Sequence, residues 1–232
     1  MKTKSLSLIV GFILFFMSCS ENVNYTSEFI NQTSGRYLLT PDEVLVVYYE
    51  NNRLFLKWRG VEKLKPVIID QNTFFVGDMY KKLRFVQHPE TNEFYLATVD
   101  PDNESLITYD YLKLADSVDI PSGYLLNGEF NKALAGFLEI KKQDSTSILI
   151  DETEFNKLGY SYLRKGKYQN AIDVFKINVA LYPESSNVYD SLADAYLRSG
   201  DSLQAFNNYK IALELDNDNR RAKEYVKAYN PK

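Results

Sequence analysis

The chain holds one cysteine and one histidine among its 232 residues, and that scarcity excludes much of the chemistry a sequence can announce. Thiolate and imidazole ligands at close spacing are what a zinc site displays. None stand here, and no intrachain disulfide can form. The single histidine, His88, lies beside Pro89 in a turn-forming stretch with no nucleophile at a useful spacing, so it reads as a surface turn residue rather than a general base. No lysine follows a serine by three positions, and no Gly-x-Ser-x-Gly elbow, glycine-rich phosphate loop or His-Glu-x-x-His pair occurs. The acids are plentiful but sit at no spacing that singles out an acid/base pair. The sequence therefore reads as non-enzymatic, with no metal and no cofactor. Basic residues are also short: 27 Lys and Arg face 31 Asp and Glu, a formal charge of −4. Without a basic cluster there is no electrostatic footprint for nucleic acid.

Long apolar runs are absent except at the N-terminus. Lys2 and Lys4 precede an apolar run from Leu6 to Met17, shorter than the ~20 residues of a membrane-spanning helix and right for a secretory signal. The run ends Phe16-Met17-Ser18-Cys19. This resembles a bacterial lipobox, in which a small residue precedes a cysteine that becomes lipidated after cleavage, although Phe16 stands where leucine is usual. The competing reading is an ordinary signal peptide with an incidental cysteine. Residues 1–18 are assigned as the signal. Residues 19–34, rich in Ser, Asn and Thr, are assigned as a lipidated Cys19 followed by a flexible tether. The resemblance implies the cell envelope, on the outer membrane of a Gram-negative bacterium, with a membrane as one partner.

Aromatic residues, by contrast, are abundant: 18 Tyr and 14 Phe. Many fall in a pattern written twice. Phe155, Leu158, Gly159, Tyr162, Gly166, Ala171 and Phe175 are matched, each 34 positions on, by Tyr189, Leu192, Ala193, Tyr196, Gly200, Ala205 and Tyr209. This period and order resemble the tetratricopeptide signature. Small residues let paired helices approach, while the large ones fill the space between pairs, so no repeat buries its core alone. The Asp151 cap, the glycines at 166 and 200, the Asp201 cap and the Pro183/Ser185 break predict helices over 152–165, 168–181, 186–199 and 202–215. A last helix near 219–229 would cover the open end. "GEFNKALAGF" from Gly128 resembles "GKYQNAIDVF" from Gly166, which implies an atypical first repeat behind a short helix at 122–127.

Between 35 and 113 the apolar period is two. Expected strands lie at 36–40, 44–50, 53–59, 65–70, 73–76, 83–88, 93–99 and 105–112, with a hairpin turn at Asn51-Asn52. About eight short up-and-down strands suggest a small closed barrel, its core filled by Tyr48, Tyr49, Phe55, Trp58, Phe74, Phe75, Phe85 and Tyr95. Such a barrel either fills with side chains or holds one small ligand. "GRYLLTPDEVLVVYYENNRLFLKW", Asn72 to Phe75 and "LRFVQHPETNEFYLATV" resemble the β-rich domain of unknown function behind the catalytic domain of bacterial beta-lactamase-like serine hydrolases. The repeats resemble the tetratricopeptide tail of the same proteins. The resemblance implies a lipocalin-like barrel and an accessory region without the catalytic domain.

The expected fold is thus α+β: a small lipocalin-like antiparallel β-barrel over 35–113, followed by a tetratricopeptide array with a capping helix over 114–232. The expected function is a non-catalytic scaffold that binds a protein or peptide in the groove lined by the first helix of each pair. Its candidate residues are Thr153, Asn156, Tyr160 and Arg164, then Asn187, Asp190, Asp194 and Arg198. The same positions also read as solvated helix faces. The alternatives are a barrel that carries a small apolar ligand, and a regulatory subunit of a separately encoded serine hydrolase.

Overall fold

The computed structural model describes residues 23–229. It opens with a short helix, α1 (Ser27–Thr33), followed by nine strands: β1 (Gly35–Thr40), β2 (Glu43–Glu50), β3 (Arg53–Trp58), β4 (Val61–Leu64), β5 (Val67–Ile68), β6 (Thr73–Val76), β7 (Lys81–Gln87), β8 (Phe94–Thr98) and β9 (Tyr111–Leu112). Two antiparallel sheets result, one ordered β1-β2-β3-β4 and the other β5-β6-β7-β8-β9. The hairpin at Asn51-Asn52 is present, with both residues at positive φ (49° and 60°), the conformation a two-residue turn demands. Its register pairs Glu50 with Arg53 and Val47 with Leu56.

The closed barrel is not what forms. The two sheets are open and share one core, in which Tyr37, Leu45 and Leu56 of the first meet Phe74, Leu83 and Leu96 of the second, all at most 1% exposed. One bridge, Tyr37 to Lys113, links them on one side. On the other side the chain passes from β4 to β5 through Lys65-Pro66, and Pro66 has no N–H to give a ladder. Only Val67–Ile68 of the strand expected at 65–70 pairs in a sheet. Most of the strand expected at 105–112 is irregular as well. There the Leu106 amide donates to the Asn103 carbonyl at 3.0 Å and the Asp110 carboxylate accepts the Thr98 amide at 2.6 Å, bonds that compete with a ladder. Of the expected core aromatics, Phe74 and Phe85 are buried in this core, Tyr49 and Trp58 pack against it, and Phe55 is buried outside it against Tyr48. Tyr48, Phe75 and Tyr95 are half-buried and stand outside it.

The flexible tether is likewise corrected for its part within the described residues. Thr26 caps α1 by accepting the Phe29 amide at 3.2 Å. Tyr25 is buried and stacks on Phe29, ring centres 5.4 Å apart, and Phe29 and Ile30 pack on the sheet core. Of the Ser, Asn and Thr residues that suggest a tether, Ser27 and Asn31 lie on the solvent face of this helix, while Thr33 is buried. Residues 1–22, Cys19 among them, lie outside the described residues.

The second half is helical: α2 (Pro121–Leu126), α3 (Phe130–Gln143), α4 (Glu152–Arg164), α5 (Tyr168–Leu181), α6 (Ser186–Ser199), α7 (Ser202–Leu215) and α8 (Arg220–Ala228). From α4 to α7 the spans fall within a residue of those the period predicts. Asp151 caps α4 through the Glu154 amide at 2.9 Å, and Asp201 caps α7 through the Gln204 amide at 3.0 Å. Gly166 and Gly200 take φ of 69° and 91°, the left-handed conformation that ends a helix and is cheapest for glycine. In α2 and α3 the atypical first pair is seen, with Ala133 and Phe137 buried. The extra residues before α4 form a short turn that buries Ile150. This half is a tetratricopeptide-like array.

Candidate functional site

The face shared by α4, α6 and α8 gathers the predicted groove residues. Asn156 and Tyr160 lie one turn apart on α4, and Asp190 and Asp194 occupy the equivalent positions on α6. Tyr160 is held by an edge-on contact with Phe175, ring centres 5.3 Å apart. Thr153, Arg164, Asn187 and Arg198 are exposed around them. The array thus places four of the eight candidates, Asn156, Tyr160, Asp190 and Asp194, where α4 meets α6, and the other four around them.

Asp190 and Asp194 are not free groove side chains, however. They are only 6% and 7% exposed, because Arg221 of α8 reaches over them. Its Nε donates to Asp190 Oδ1 at 3.0 Å, and its second guanidinium nitrogen bonds the other oxygen of the same carboxylate. That nitrogen also donates to the Tyr160 hydroxyl at 3.3 Å, and Nη1 stands 3.7 Å from Asp194 Oδ2. Arg198 donates through Nε to Asp194 Oδ1 at 3.0 Å. Two buried carboxylates are thereby paired with two cations, as burial requires. Beneath them, burial first and the Asp194 carboxylate second push the Tyr209 hydroxyl well above its ordinary titration range.

Three polar atoms on or near this face are buried without a hydrogen-bond partner: Asn156 Oδ1, Asp194 Oδ2 and Ser191 Oγ. Two of the three can only accept. Such atoms suit a ligand that brings N–H donors, such as a peptide main chain or a basic side chain. Asn187 is used otherwise, since it donates to Glu152 Oε1 at 3.0 Å, where Ser185 also donates at 3.1 Å. Glu152 and Arg221 are the two residues that sequence reasoning missed. Arg221 sits in the capping helix, but nothing local marks which charge it meets.

Among the described residues, the one histidine is committed to its own turn. The Nδ1 of His88 accepts the Glu90 and Thr91 amides at 3.3 Å within its turn. Among the described residues, no group of three or more His, Cys, Asp or Glu side chains could hold a metal ion, and no helix is long and apolar enough to cross a membrane.

No family model matches the chain, and no curated protein matches it. Solved structures similar to the helical half do exist. The first tetratricopeptide domain of human RPAP3 is 19% identical over 46% of this chain and 81% of that one, at a TM-score of 0.33. MamA is 23% identical over 47% of this chain and 61% of that one, at 0.31. The Yersinia enterocolitica type III secretion chaperone SycD, solved with a peptide of the translocator YopD, is 18% identical over 47% and 85%, at 0.32.

Proposed function

We propose that this protein is an exported bacterial lipoprotein, acylated at Cys19 and held at the outer membrane, whose helical array is a non-catalytic scaffold for a protein or peptide partner. One observation carries the binding part: Asn156 Oδ1, on the first helix of its repeat, is a buried acceptor without a hydrogen-bond partner, next to Tyr160 and the carboxylates that Arg221 covers. Leaving a buried acceptor unpaired costs ~1–3 kcal/mol, and a bound segment that supplies N–H groups recovers that loss. The helices behind the face are fixed by their neighbours, so ordering costs little on association. The reading of a small apolar ligand inside a barrel has less support, since the sheets are open and the side chains of the shared core fill the space between them.

The test is a comparison of partners captured from solubilised membranes. Wild-type protein is set against the triple variant Thr153→Glu, Asn156→Ala, Arg164→Glu, which avoids the paired carboxylates. A specific partner should be lost with the triple variant and kept with Lys210→Ala on the outer helix α7, at unchanged melting temperature. Equal capture by all three proteins would remove the groove from the proposal.

A further inference from the structure

The sheet half carries a cleft of about 740 Å³ where the N-terminal segment, the β2–β3 turn and the Lys65-Pro66 link come together. Val23, Leu54, Phe55, Val67 and Ile68 supply apolar surface there. Three cations, Arg53, Lys63 and Lys65, stand against one acid, Glu50, which bonds Lys63. On a chain of net charge −4 this is a local reversal of sign. The edge segment beside it is also unusual. Val67 of the edge strand β5 and Ile69 just after it are 64% and 50% exposed, apolar side chains at a sheet edge, which a protein exposed only to water tends to cover or charge.

The chain enters the described structure inside this cleft, at Val23. Asn52 of the hairpin turn fixes that entry. Its Oδ1 accepts the Tyr25 amide at 2.8 Å, and its Nδ2 donates to the Tyr25 carbonyl at 2.7 Å. Cys19 is four positions before Val23, and an extended chain covers at most ~3.6 Å per residue. An acyl anchor on Cys19 therefore lies within roughly 14 Å of the cleft by covalent geometry alone. A link this short favours turning the face that holds Val23 towards the bilayer.

We infer that this cleft is a membrane-docking surface for anionic phospholipid headgroups, with Arg53 and Lys65 facing the phosphates and Val67 at the interface. The inference rests on the acylation of Cys19 proposed above. A basic side chain close to an anionic leaflet strengthens attachment about fivefold, and the effect fades within a Debye length. A short link from anchor to cleft keeps these cations within about two Debye lengths (~8–10 Å each) of the leaflet, where a long tether would not.

The experiment uses the full chain purified from membranes, with the mass of its N-terminal peptide read first for acylation. Cys19 is the only native cysteine, so once its sulfur is acylated, Val67→Cys provides the single free thiol for a fluorophore. Leu203→Cys on α7 serves as the remote control. In phosphatidylcholine vesicles containing phosphatidylglycerol, a lipid-borne quencher should quench the label at 67 several-fold more than the label at 203. The difference should shrink in high salt and vanish with Arg53→Glu and Lys65→Glu at unchanged melting temperature. Equal quenching at the two positions on an acylated protein overturns the inference alone. Equal quenching in phosphatidylcholine without the anionic lipid overturns the role of the cations. An unmodified Cys19 overturns the anchor and the inference together.

Discussion

Arg221 and Asp190 face each other between α8 and α6, joined by two hydrogen bonds from one guanidinium to both oxygens of one carboxylate. The pair fixes the last helix to the array and closes one end of the groove. Its carboxylate is buried while the Arg221 side chain is 47% exposed, so solvent screens part of the attraction. We expect Arg221→Ala to lower stability by about 1–3 kcal/mol, chiefly because Asp190 is left buried and charged. Adding Asp190→Asn should restore part of the loss. Chemical unfolding of the two single variants and the double variant measures this. A double variant no more stable than Arg221→Ala would show that the carboxylate is not the source of the cost.

Gly159 is where α4 crosses α5. A Cβ there would overlap the Phe175 ring, which is fully buried and cannot move aside freely. Gly159→Leu should cost at least ~1–3 kcal/mol through overpacking. Asn156→Ala on the same helix should not lower stability, since its buried oxygen has no hydrogen bond to lose. Equal melting temperatures for the two variants would contradict the helix crossing.

Arg36 of β1 holds the segment that leads from the sheets to the helices. It bonds Asp119 at 2.7 Å and also donates to the Val118 carbonyl. Arg36→Ala should destabilise the protein by about 1–2 kcal/mol, near the low end for charge-assisted bonds because both partners keep some exposure. We expect hydrogen exchange to quicken at residues 115–120 before it quickens in β2 or α5. Uniform quickening would show that the contact is not local.

Asp42 accepts the Ser122 amide at 2.7 Å and so ties the β1–β2 turn to α2. Burial raises its pKa first and the nearby Asp119 adds to that, while the Ser122 bonds pull the other way. With the folded pKa above the unfolded one (~3.9), the folded state binds more protons in that window. The stability from this site is full below the unfolded pKa and is lost as pH rises through the folded pKa. Asp42→Asn, which keeps the acceptor, should therefore melt higher than wild type at pH 7, and the gain should disappear near the unfolded pKa. A gain that is the same at both pH values would assign it to something other than ionisation.

What the sequence by itself determined is what neighbouring residues decide among themselves. The helical boundaries from Glu152 to Leu215 follow from a 34-residue period, two carboxylate caps and two glycines, all of them interactions within a few positions. The Asn51-Asn52 hairpin and the placement of Asn156, Tyr160, Asp190 and Asp194 on one side follow for the same reason, since helix and turn geometry are local. Tertiary structure alone decided the rest. Whether nine strands close or stay as two sheets depends on Pro66 and on a single bridge between Tyr37 and Lys113, partners far apart in the chain. Residues 26–33 carry a tether's composition yet form a helix, because Phe29 and Ile30 find a sheet to cover. The two aspartates read as open groove positions until Arg221, distant in sequence, reaches over them. Local pattern says which face a side chain takes; only the packed chain says what already stands there.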